Sequence, residues 1–300
     1  MVADQPSFSI EENCDQELDQ RQTVPKRHPS TANGSINYNK TSLPTSRLFA
    51  GLPGITFTEG SVIWSAGQGD MVLSTQLAGS NLDLQIDETL RQIGQHTNTV
   101  DWMIFPSCRP IDLGERLRQW DAASGPDGEW MLYGNIGGPG GNWMWLDLTT
   151  LGAPPATPAG FHVKQVTNQR MFDEWTAINA KGFGADDYSA FHAAYSRHGF
   201  GPNAQAIHFI GYLGDEAVTS ATLLVAGGSA SVYNVSTPTE LRRQGFGSAI
   251  THAALQVARD RGYQDTWIWA SNLGKSVYAK LGFVLTDFGI REYQWKKRSA

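Results

Sequence analysis

A pair of glycines flanked by arginines follows a strand-like run and precedes a helix-like run, in the segment RRQGFGSA at residues 242–249. The first turn of a helix has free backbone N–H groups and a partial positive charge, so a glycine-containing turn at this point can bind phosphate oxygens. Glycine also allows the backbone to approach a ligand closely. The alternative is a tight strand-to-helix turn whose glycines only permit the geometry, and a lone pattern of this kind favours that alternative.

A second candidate for chemistry is Tyr278, which begins the pattern Y-x-x-x-G-F ending at Phe283. A phenol with a pKa near 10 stays protonated at neutral pH, so it can serve as an acid without special tuning. The alternative is a core tyrosine of a short helix with a satisfied hydroxyl.

The strands and helices expected around these residues indicate a mixed sheet. Strands are expected at FHVKQV, in three runs between Ala206 and Thr237, and at TWIWA, FVLTDF and REYQW; helices are expected at NQRMFDEWTAINAKGF, at DDYSAFHAAYSRHGF, from about Arg242 to Arg261, and before Gly282. Strands and helices do not alternate strictly. This favours an α/β (α+β) fold with a mixed, mostly antiparallel central sheet flanked by helices.

The first half of the chain indicates a second, similar unit. Residues 1–48 are polar and predict a disordered N-terminal arm. Residues 49–150 read as strand, strand, helix, strand, helix, strand and strand, which is similar to the order in the second half. Residues 151–160, LGAPPATPAG, contain three prolines and predict a linker to a second domain at 161–300.

Composition limits the classes of function. The 300 residues are 40% hydrophobic with a formal charge of −6, which gives no electrostatic reason to expect nucleic acid or a membrane as partner. Cys14 and Cys108 are the only cysteines, so neither a disulfide framework nor a CxxC metal site is available and no metal is expected. The N-terminus carries acidic residues early and no apolar run approaches a bilayer span, which favours a soluble, cytoplasmic protein.

Two motifs together resemble the GCN5-related N-acetyltransferase (GNAT) superfamily. The first is R-x-x-G-x-G at Arg242, Gly245 and Gly247, and the second is Y-x-x-x-G-F at Tyr278. Their order and separation match the superfamily across most of its conserved core, and the surrounding segments resemble two-domain bacterial members. The resemblance implies the acyl-CoA N-acyltransferase fold in tandem, with acetyl-CoA as the acyl donor.

The resemblance also implies a set of site residues. The pyrophosphate would bind the loop and helix start, the pantetheine arm would lie between the fourth and fifth strands, and a backbone amide near Val235 or Thr237 would polarise the thioester carbonyl. Tyr278 would be catalytic, donating to the departing CoA thiolate. The implied cofactor-binding residues are Val235, Ser236, Thr237, Arg242, Arg243, Gln244, Gly245, Phe246, Gly247, Ser248, Ser271 and Asn272.

The sequence departs from the family pattern in three places. Ser271 stands where many members have Asn, so the contact to the cofactor arm falls to Ser271, to Asn272 or to neither. Pro238 is displaced in the loop before the motif. Residues 49–150 lack an R-x-x-G-x-G turn, which indicates a degenerate copy that cannot bind CoA and that packs on the catalytic domain.

The general base and the acceptor are left open. Glu240 is the nearest carboxylate to the motif, but a residue there more often balances the helix dipole or pairs with a neighbouring Arg. The predicted function is acetyl transfer to a primary amine of a small metabolite, an antibiotic, a peptide terminus or a lysine; an oligomer is compatible with the sequence. The alternatives are a CoA-binding pseudoenzyme without turnover and a dinucleotide binder, although the usual GxGxxG is absent.

Overall fold

The computed structural model describes residues 47–67, 70–124, 130–135, 143–197, 199–201, 203–226 and 228–298. The expected N-terminal arm at 1–48 falls almost entirely outside these residues, as does most of the glycine-rich segment GNIGGPGG at 134–141, for which the sequence predicts a flexible hairpin loop. Residues 36–300 form one compact unit. The described chain begins with a 3₁₀ turn at Arg47–Phe49, and Phe49 is buried edge-on against the ring of Phe191 at 5.0 Å.

The elements follow one another in two halves. The first half contains β1 (Thr56–Thr58), β2 (Val62–Ala66), β3 (Met71–Thr75), α1 (Leu82–Ile93), β4 (Thr99–Ile104), α2 (Leu113–Ser124), β5 (Trp130–Asn135) and β6 (Trp143–Asp147). The second half contains β7 (Phe161–Gln165), α3 (Gln169–Phe183), α4 (Ser189–Ser196), β8 (Ala206–Leu213), β9 (Glu216–Ala226), β10 (Ser229–Ser236), α5 (Phe246–Asp260), β11 (Asp265–Trp269), α6 (Lys275–Lys280), β12 (Val284–Leu285) and β13 (Arg291–Lys297). None of the helices in the described residues has the length and apolar character that crossing a membrane requires.

The strands form two mixed sheets. The first has the order β1-β2-β3-β4-β13-β5, and the second has the order β12-β6-β11-β10-β9-β8-β7. Among the described residues, β3 with β4 and β10 with β11 are parallel neighbours and the other pairs are antiparallel. The predicted fold class, a mixed and mostly antiparallel sheet flanked by helices, is confirmed.

The two sheets exchange strands. β6 lies between β11 and β12 of the second sheet, where Trp143 is opposite Trp269. β13, near the C-terminus, lies between β4 and β5 of the first sheet, where Arg291 is opposite Ile104. From the order along the chain, we expected NWMWLDL (β6) to pair within the first half and REYQW (β13) to pair within the second. The structure instead places β6 in the second sheet and β13 in the first. Alternating apolar residues show which face of a strand is buried, but they do not show which strands lie beside it. The exchange of β6 and β13 between the sheets therefore could not be predicted from either segment alone. The division at residues 151–160 stays a prediction.

Helices cover both faces of the second sheet. Leu223 and Leu224 are neighbours on β9 and point to opposite faces, since Leu223 packs in the cluster with Ile250 of α5 and Leu224 packs in the cluster with Trp175 of α3. We call the set of buried residues around Leu223 and Ile250 the α5 cluster, and the set around Leu224 and Trp175 the α3 cluster. α5 and α6 therefore lie on one face, and α3 and α4 lie on the other.

Helix α3 illustrates how the sequence defines an element. The side chain of Asn168 caps its start by accepting the N–H of Met171 at 3.0 Å. The helix ends at Gly184, which adopts a left-handed conformation with φ of 67°. Its buried positions, Phe172, Trp175, Ile178 and Asn179, recur at helical spacing along one face.

Candidate functional site

The parallel strands β10 and β11 are joined at one end and separate at the other. Ser231 pairs with Trp267 in the register, and its Oγ donates to the Trp267 carbonyl at 2.9 Å. Thr266 Oγ1 donates to the Ala230 carbonyl at 3.2 Å. In the described residues no pair joins the two strands beyond Ser231 and Trp267. The ends of β10 and β11 thus present backbone edges with which an extended ligand can pair.

A bulge lies in β10 where the strands separate. The register with β9 shifts between Tyr233, opposite Thr222, and Ser236, opposite Ser220. Asn234 has a left-handed φ of 52°, which is uncommon for a residue other than glycine. Such bulges redirect backbone groups out of the ladder and are frequent beside functional sites.

The loop between β10 and α5 contains two left-handed residues, Arg243 with φ of 68° and Gly245 with φ of 88°. They interrupt the helix that the sequence predicted from about Arg242, and α5 begins at Phe246 instead. A Cβ at Gly245 would lie 3.1 Å from the Ala156 carbonyl oxygen. Left-handed residues spaced in this way are typical of anion-binding turns in which successive N–H groups converge.

The first backbone N–H groups of α5 have no acceptor within the helix. Its N-cap, Gly245, offers no side-chain hydrogen bond, and the first turn holds no acidic residue. Ala249 N–H is bonded to the Gly245 carbonyl at 3.0 Å, so the N–H groups of Phe246, Gly247 and Ser248 precede the helical ladder. A Cβ at Gly247 would meet only Thr237 Oγ1, at 3.8 Å. The protein's own packing does not require a glycine there, although a ligand seated on the helix start would.

The side chains of the loop have mixed roles. Arg243 and Gln244 are exposed, as is Arg242. The guanidinium of Arg242 donates to the carbonyls of Thr237 (3.0 Å) and Gly182 (3.1 Å), so it braces the loop against α3.

Glu240 forms an exposed ion pair with Lys181 at 2.7 Å. The hydrogen bond from Lys181 holds the pKa of the Glu240 carboxyl below its usual value. Glu240 therefore pairs with a cation, but the partner is Lys181 of α3 and not the neighbouring Arg that the sequence suggested.

Three predicted cofactor-binding residues use their side chains inside the protein. Phe246 is buried and stacks on Phe161 at 5.1 Å. Ser236 Oγ donates to the Asn179 carbonyl at 3.1 Å, and Thr237 Oγ1 lies 2.9 Å from Thr219 Oγ1. At these positions a ligand would have to be bound by backbone groups.

Tyr278 lies in the α5 cluster, with 7% of its surface exposed. Burial raises the pKa of its phenol to about 12. The ring packs edge-on to Phe283 at 5.9 Å and lies against Gly274, where a Cβ would be 2.7 Å from Tyr278 Cε2. Val235 packs against the same cluster. The tyrosine is therefore protonated at neutral pH and shares a face with the bulged end of β10.

Ser271 and Asn272 lie in the exposed turn between β11 and α6. Ser271 Oγ accepts the N–H of Gly274 at 3.1 Å, so this hydroxyl shapes the turn that supports the ring of Tyr278. A contact from either residue to a cofactor arm stays a prediction.

The corresponding region of the first half is closed. β3 and β4 stay joined past their ends, since Arg109 N–H donates to the Thr75 carbonyl at 2.9 Å and Leu77 N–H donates to the Arg109 carbonyl at 3.0 Å. The indole of Trp102 also donates to Thr75 Oγ1 at 3.0 Å. The helix that follows β3 carries Asp83 in its first turn, where negative charge opposes an anion.

Sequence reasoning missed Asn179 of α3, which is fully buried. Its side chain reaches the bulge, where Nδ2 donates to the Asn234 carbonyl at 2.8 Å and to Ser220 Oγ at 2.7 Å. Tyr188 donates its hydroxyl proton to Asn179 Oδ1. The available signal was a single amide on an otherwise apolar helix face, four residues after Trp175.

Comparison with solved structures places the fold. A GCN5-related N-acetyltransferase from Sphaerobacter thermophilus aligns over 86% of this chain and 85% of its own, with a TM-score of 0.54 and 13% identity. One from Kribbella flavida aligns over 81% of this chain and 89% of its own, with a TM-score of 0.51 and 16% identity. A tandem GNAT protein from the clavulanic acid biosynthesis pathway aligns over 81% and 83%, with a TM-score of 0.52 and 17% identity.

No family model matches the sequence, and no curated protein matches it. The structural likeness, at these identities, establishes the fold. The chain has the fold of the GNAT acetyltransferases, as the two motifs predicted.

Proposed function

We propose that the chain is a member of the GNAT superfamily that transfers the acetyl group of acetyl-CoA to a primary amine. The observation that carries this proposal is the start of α5, where a left-handed glycine turn and uncommitted N–H groups lie at the end of a strand that has parted from its neighbour. The same face holds the protonated Tyr278.

In this proposal the acyl donor is bound mainly by backbone groups. The N–H groups of Arg243 through Ser248 hold the pyrophosphate, with the positive end of α5 behind them. Gly247 leaves room for the phosphate to approach the helix, since among the described residues, apart from its chain neighbours and the backbone of its own helix, the nearest atom to the Cβ position is Thr237 Oγ1 at 3.8 Å. The pantetheine arm pairs with the open edge of β10 between β10 and β11.

The proposed reaction is direct transfer. The lone pair of the deprotonated amine attacks the thioester carbonyl carbon, and a C–N bond forms as the carbonyl becomes an oxyanion stabilised by a β10 backbone N–H. Collapse of this intermediate breaks the C–S bond. Tyr278 donates its proton to the departing thiolate, and the proton lost by the amine nitrogen regenerates the phenol through water.

The acceptor enters, in this proposal, from the face of the second sheet opposite α5. Tyr233 of β10 packs both against the core of the first half and against the α3 cluster, so it lies where the two meet. The first half would then shape this entrance and have no cofactor of its own. The chain's net charge of −6 favours a cationic amine, in a small molecule or in a peptide. We place the reaction in the cytoplasm.

The test is a panel of amines assayed with acetyl-CoA for release of free thiol, using the full chain. The panel holds polyamines, aminoglycosides, amino acids, amino sugars and lysine peptides, with and without Nα-acetylation. Amine-dependent thiol release that falls in a Tyr278→Phe variant supports the proposal. Acetyl-CoA binding without thiol release for any amine would indicate the alternative, a CoA-binding protein without turnover.

A further inference from the structure

The bulge in β10 is held from outside its own sheet. Between Tyr233 and Ser236 the strand contains one residue more than β9 does between Thr222 and Ser220, so its peptide groups cannot all join the ladder. The carbonyl of Asn234 accepts from Asn179 Nδ2 at 2.8 Å. A side chain of α3 thus fixes the plane of the peptide between residues 234 and 235.

The amide of Asn179 is itself fixed on all sides. A backbone carbonyl only accepts, so the atom facing Asn234 must be the amide nitrogen. Its two hydrogens go to the Asn234 carbonyl and to Ser220 Oγ, and its oxygen accepts from Tyr188. Asn179 is fully buried, so its side chain is shielded from bulk solvent.

The direction of the next amide follows from peptide geometry. In a trans peptide the N–H points opposite to the C=O of the same unit. Since the Asn234 carbonyl points toward α3, the N–H of Val235 points away from α3, toward the face where Val235 packs with Tyr278. A carbonyl that accepts a hydrogen bond also makes the N–H of its own peptide a stronger donor.

We propose that Asn179 is a positioning residue, which holds the Val235 N–H as the donor to the thioester carbonyl. This inference rests on the proposed function. It assigns one amide among the candidates on β10, and it gives α3 a role in the reaction besides its contacts with Arg242 and Glu240 in the loop before α5.

The experiment compares Asn179→Asp with Ser220→Ala in the full chain. Asn179→Asp keeps the oxygen that accepts from Tyr188 but replaces the donor to Asn234 with a second oxygen. Ser220→Ala removes the other bond of the same nitrogen and leaves the Asn234 bond in place. Both variants lose a buried hydrogen bond, so both are expected to lower the Tm.

The expected result separates the two variants in kcat. Asn179→Asp should lower kcat by about 10-fold or more, because removing one oxyanion donor outright costs roughly 10²-fold or more in other enzymes. The Kd of acetyl-CoA should change by less than about 3-fold, since the α5 loop provides that binding. Ser220→Ala should keep kcat within about 2-fold. If Asn179→Asp does not fold, Tyr188→Phe, which frees the Asn179 oxygen, should give a smaller fall of the same kind.

A spectroscopic readout tests the donor directly. Carbonyl-¹³C-labelled acetyl-CoA bound to the unmodified protein should show a lowered carbonyl stretch in difference infrared spectra, and this lowering should shrink in Asn179→Asp but not in Ser220→Ala. Equal kcat and equal spectra in the two variants, with acetyl-CoA bound, would overturn this inference alone. Failure of the unmodified protein to bind acetyl-CoA would overturn the proposed function and this inference with it.

Discussion

Gly245 and Gly247 lie at the start of α5 but meet different constraints. Gly245 has a left-handed φ of 88°, and a Cβ there would press on the Ala156 carbonyl at 3.1 Å. Gly247 is a helical residue, and a Cβ there would make only an ordinary contact with Thr237 Oγ1, at 3.8 Å. The fold therefore needs a glycine at position 245, whereas at position 247 a glycine is needed only for the ligand that we propose.

Alanine at the two positions should have opposite effects on stability. Gly247→Ala should raise the free energy of unfolding by up to about 1 kcal/mol, because alanine is the better helix former. It should also weaken acetyl-CoA binding by about 10-fold or more, since the new methyl group occupies the approach to the helix start. Gly245→Ala should lower the free energy of unfolding by about 1 kcal/mol or more.

Urea unfolding and calorimetric titration with acetyl-CoA measure the two quantities for each variant. Unchanged acetyl-CoA affinity in Gly247→Ala would contradict the assignment of the helix start as the phosphate site.

Tyr278 should act as an acid over a wide pH range. Its pKa is raised by burial to about 12, so the phenol stays protonated well above the ordinary tyrosine pKa. We expect Tyr278→Phe to lower kcat by about 10²-fold, and by the same factor at about pH 7 and about pH 10. The folded state holds this proton more tightly than the unfolded state, so the stability that it provides is present below about pH 10 and is lost as the pH rises through about 12.

Kinetics of both proteins across this pH range provide the test. A ratio of rates that falls toward one near pH 10 would mean that the phenol ionises early and would contradict the assignment.

Much of the residue-scale site could be predicted from the sequence, and its limits are physical. The motif residues Arg242, Gly245 and Gly247 could be placed before a helix because glycine turns and helix starts leave local patterns. The bonds of Asn179 and Ser236 could not, because each joins residues more than 40 positions apart. The side chain of Arg242 likewise bonds the distant Gly182 carbonyl, which no spacing along the chain indicates.

At the scale of elements, the exchange of β6 and β13 is the main difference from the sequence-based expectation. Alternation of apolar residues predicted both strands. Their neighbours depend on which sheet edge each one reaches, and that choice involves the whole chain. The helices also show that local patterns predict an element better than its bounds. The periodicity predicted α5, but two left-handed residues in the preceding loop set its start at Phe246.

A cysteine pair can test the exchange. Thr99 of β4 and Lys296 of β13 lie directly opposite each other, and such antiparallel pairs have Cβ atoms about 4.5–5.5 Å apart. The double variant Thr99→Cys with Lys296→Cys should form a disulfide under mild oxidation while the protein is folded, as seen by peptide mapping. The matched control pairs Lys296→Cys with Thr266→Cys on β11. Cross-linking in the control but not in the first pair would show that β13 belongs to the second sheet.

Glu292 makes the exchanged strand sensitive to pH. The carboxyl is buried with 4% exposed, and burial, with a smaller effect of Asp101, raises its pKa to about 7. Because the folded-state pKa is raised, the stability that this group provides is present below about pH 4.5 and is lost as the pH rises through about 7.

Glu292→Gln should therefore raise the Tm by a few degrees at about pH 8, with a gain that shrinks toward about pH 5. Thermal unfolding at the two pH values measures this, with the exposed Glu216→Gln as control. An equal gain at both pH values would contradict the buried, ionising carboxyl.

At the scale of the whole molecule, the two sheets are parts of one unit. Each contains a strand from the other half of the chain, and the N-terminal segment at Phe49 packs on α4 of the second half. In the second half, the ends of β10 and β11 are separated. In the first half, the ends of β3 and β4 remain joined by backbone hydrogen bonds. The two halves thus differ in the feature that, in our proposal, binds the acyl donor.

Calorimetric unfolding of the full chain with acetyl-CoA, CoA or NAD tests this account most directly. Because the sheets share strands, we expect one transition. Acetyl-CoA and CoA at about 100 times their Kd should each add about 2.7 kcal/mol and raise the Tm by several degrees, while NAD should leave it unchanged. A Tm that does not move with acetyl-CoA or CoA, or that moves with NAD alone, would contradict the assignment of the α5 start as an acyl-CoA site.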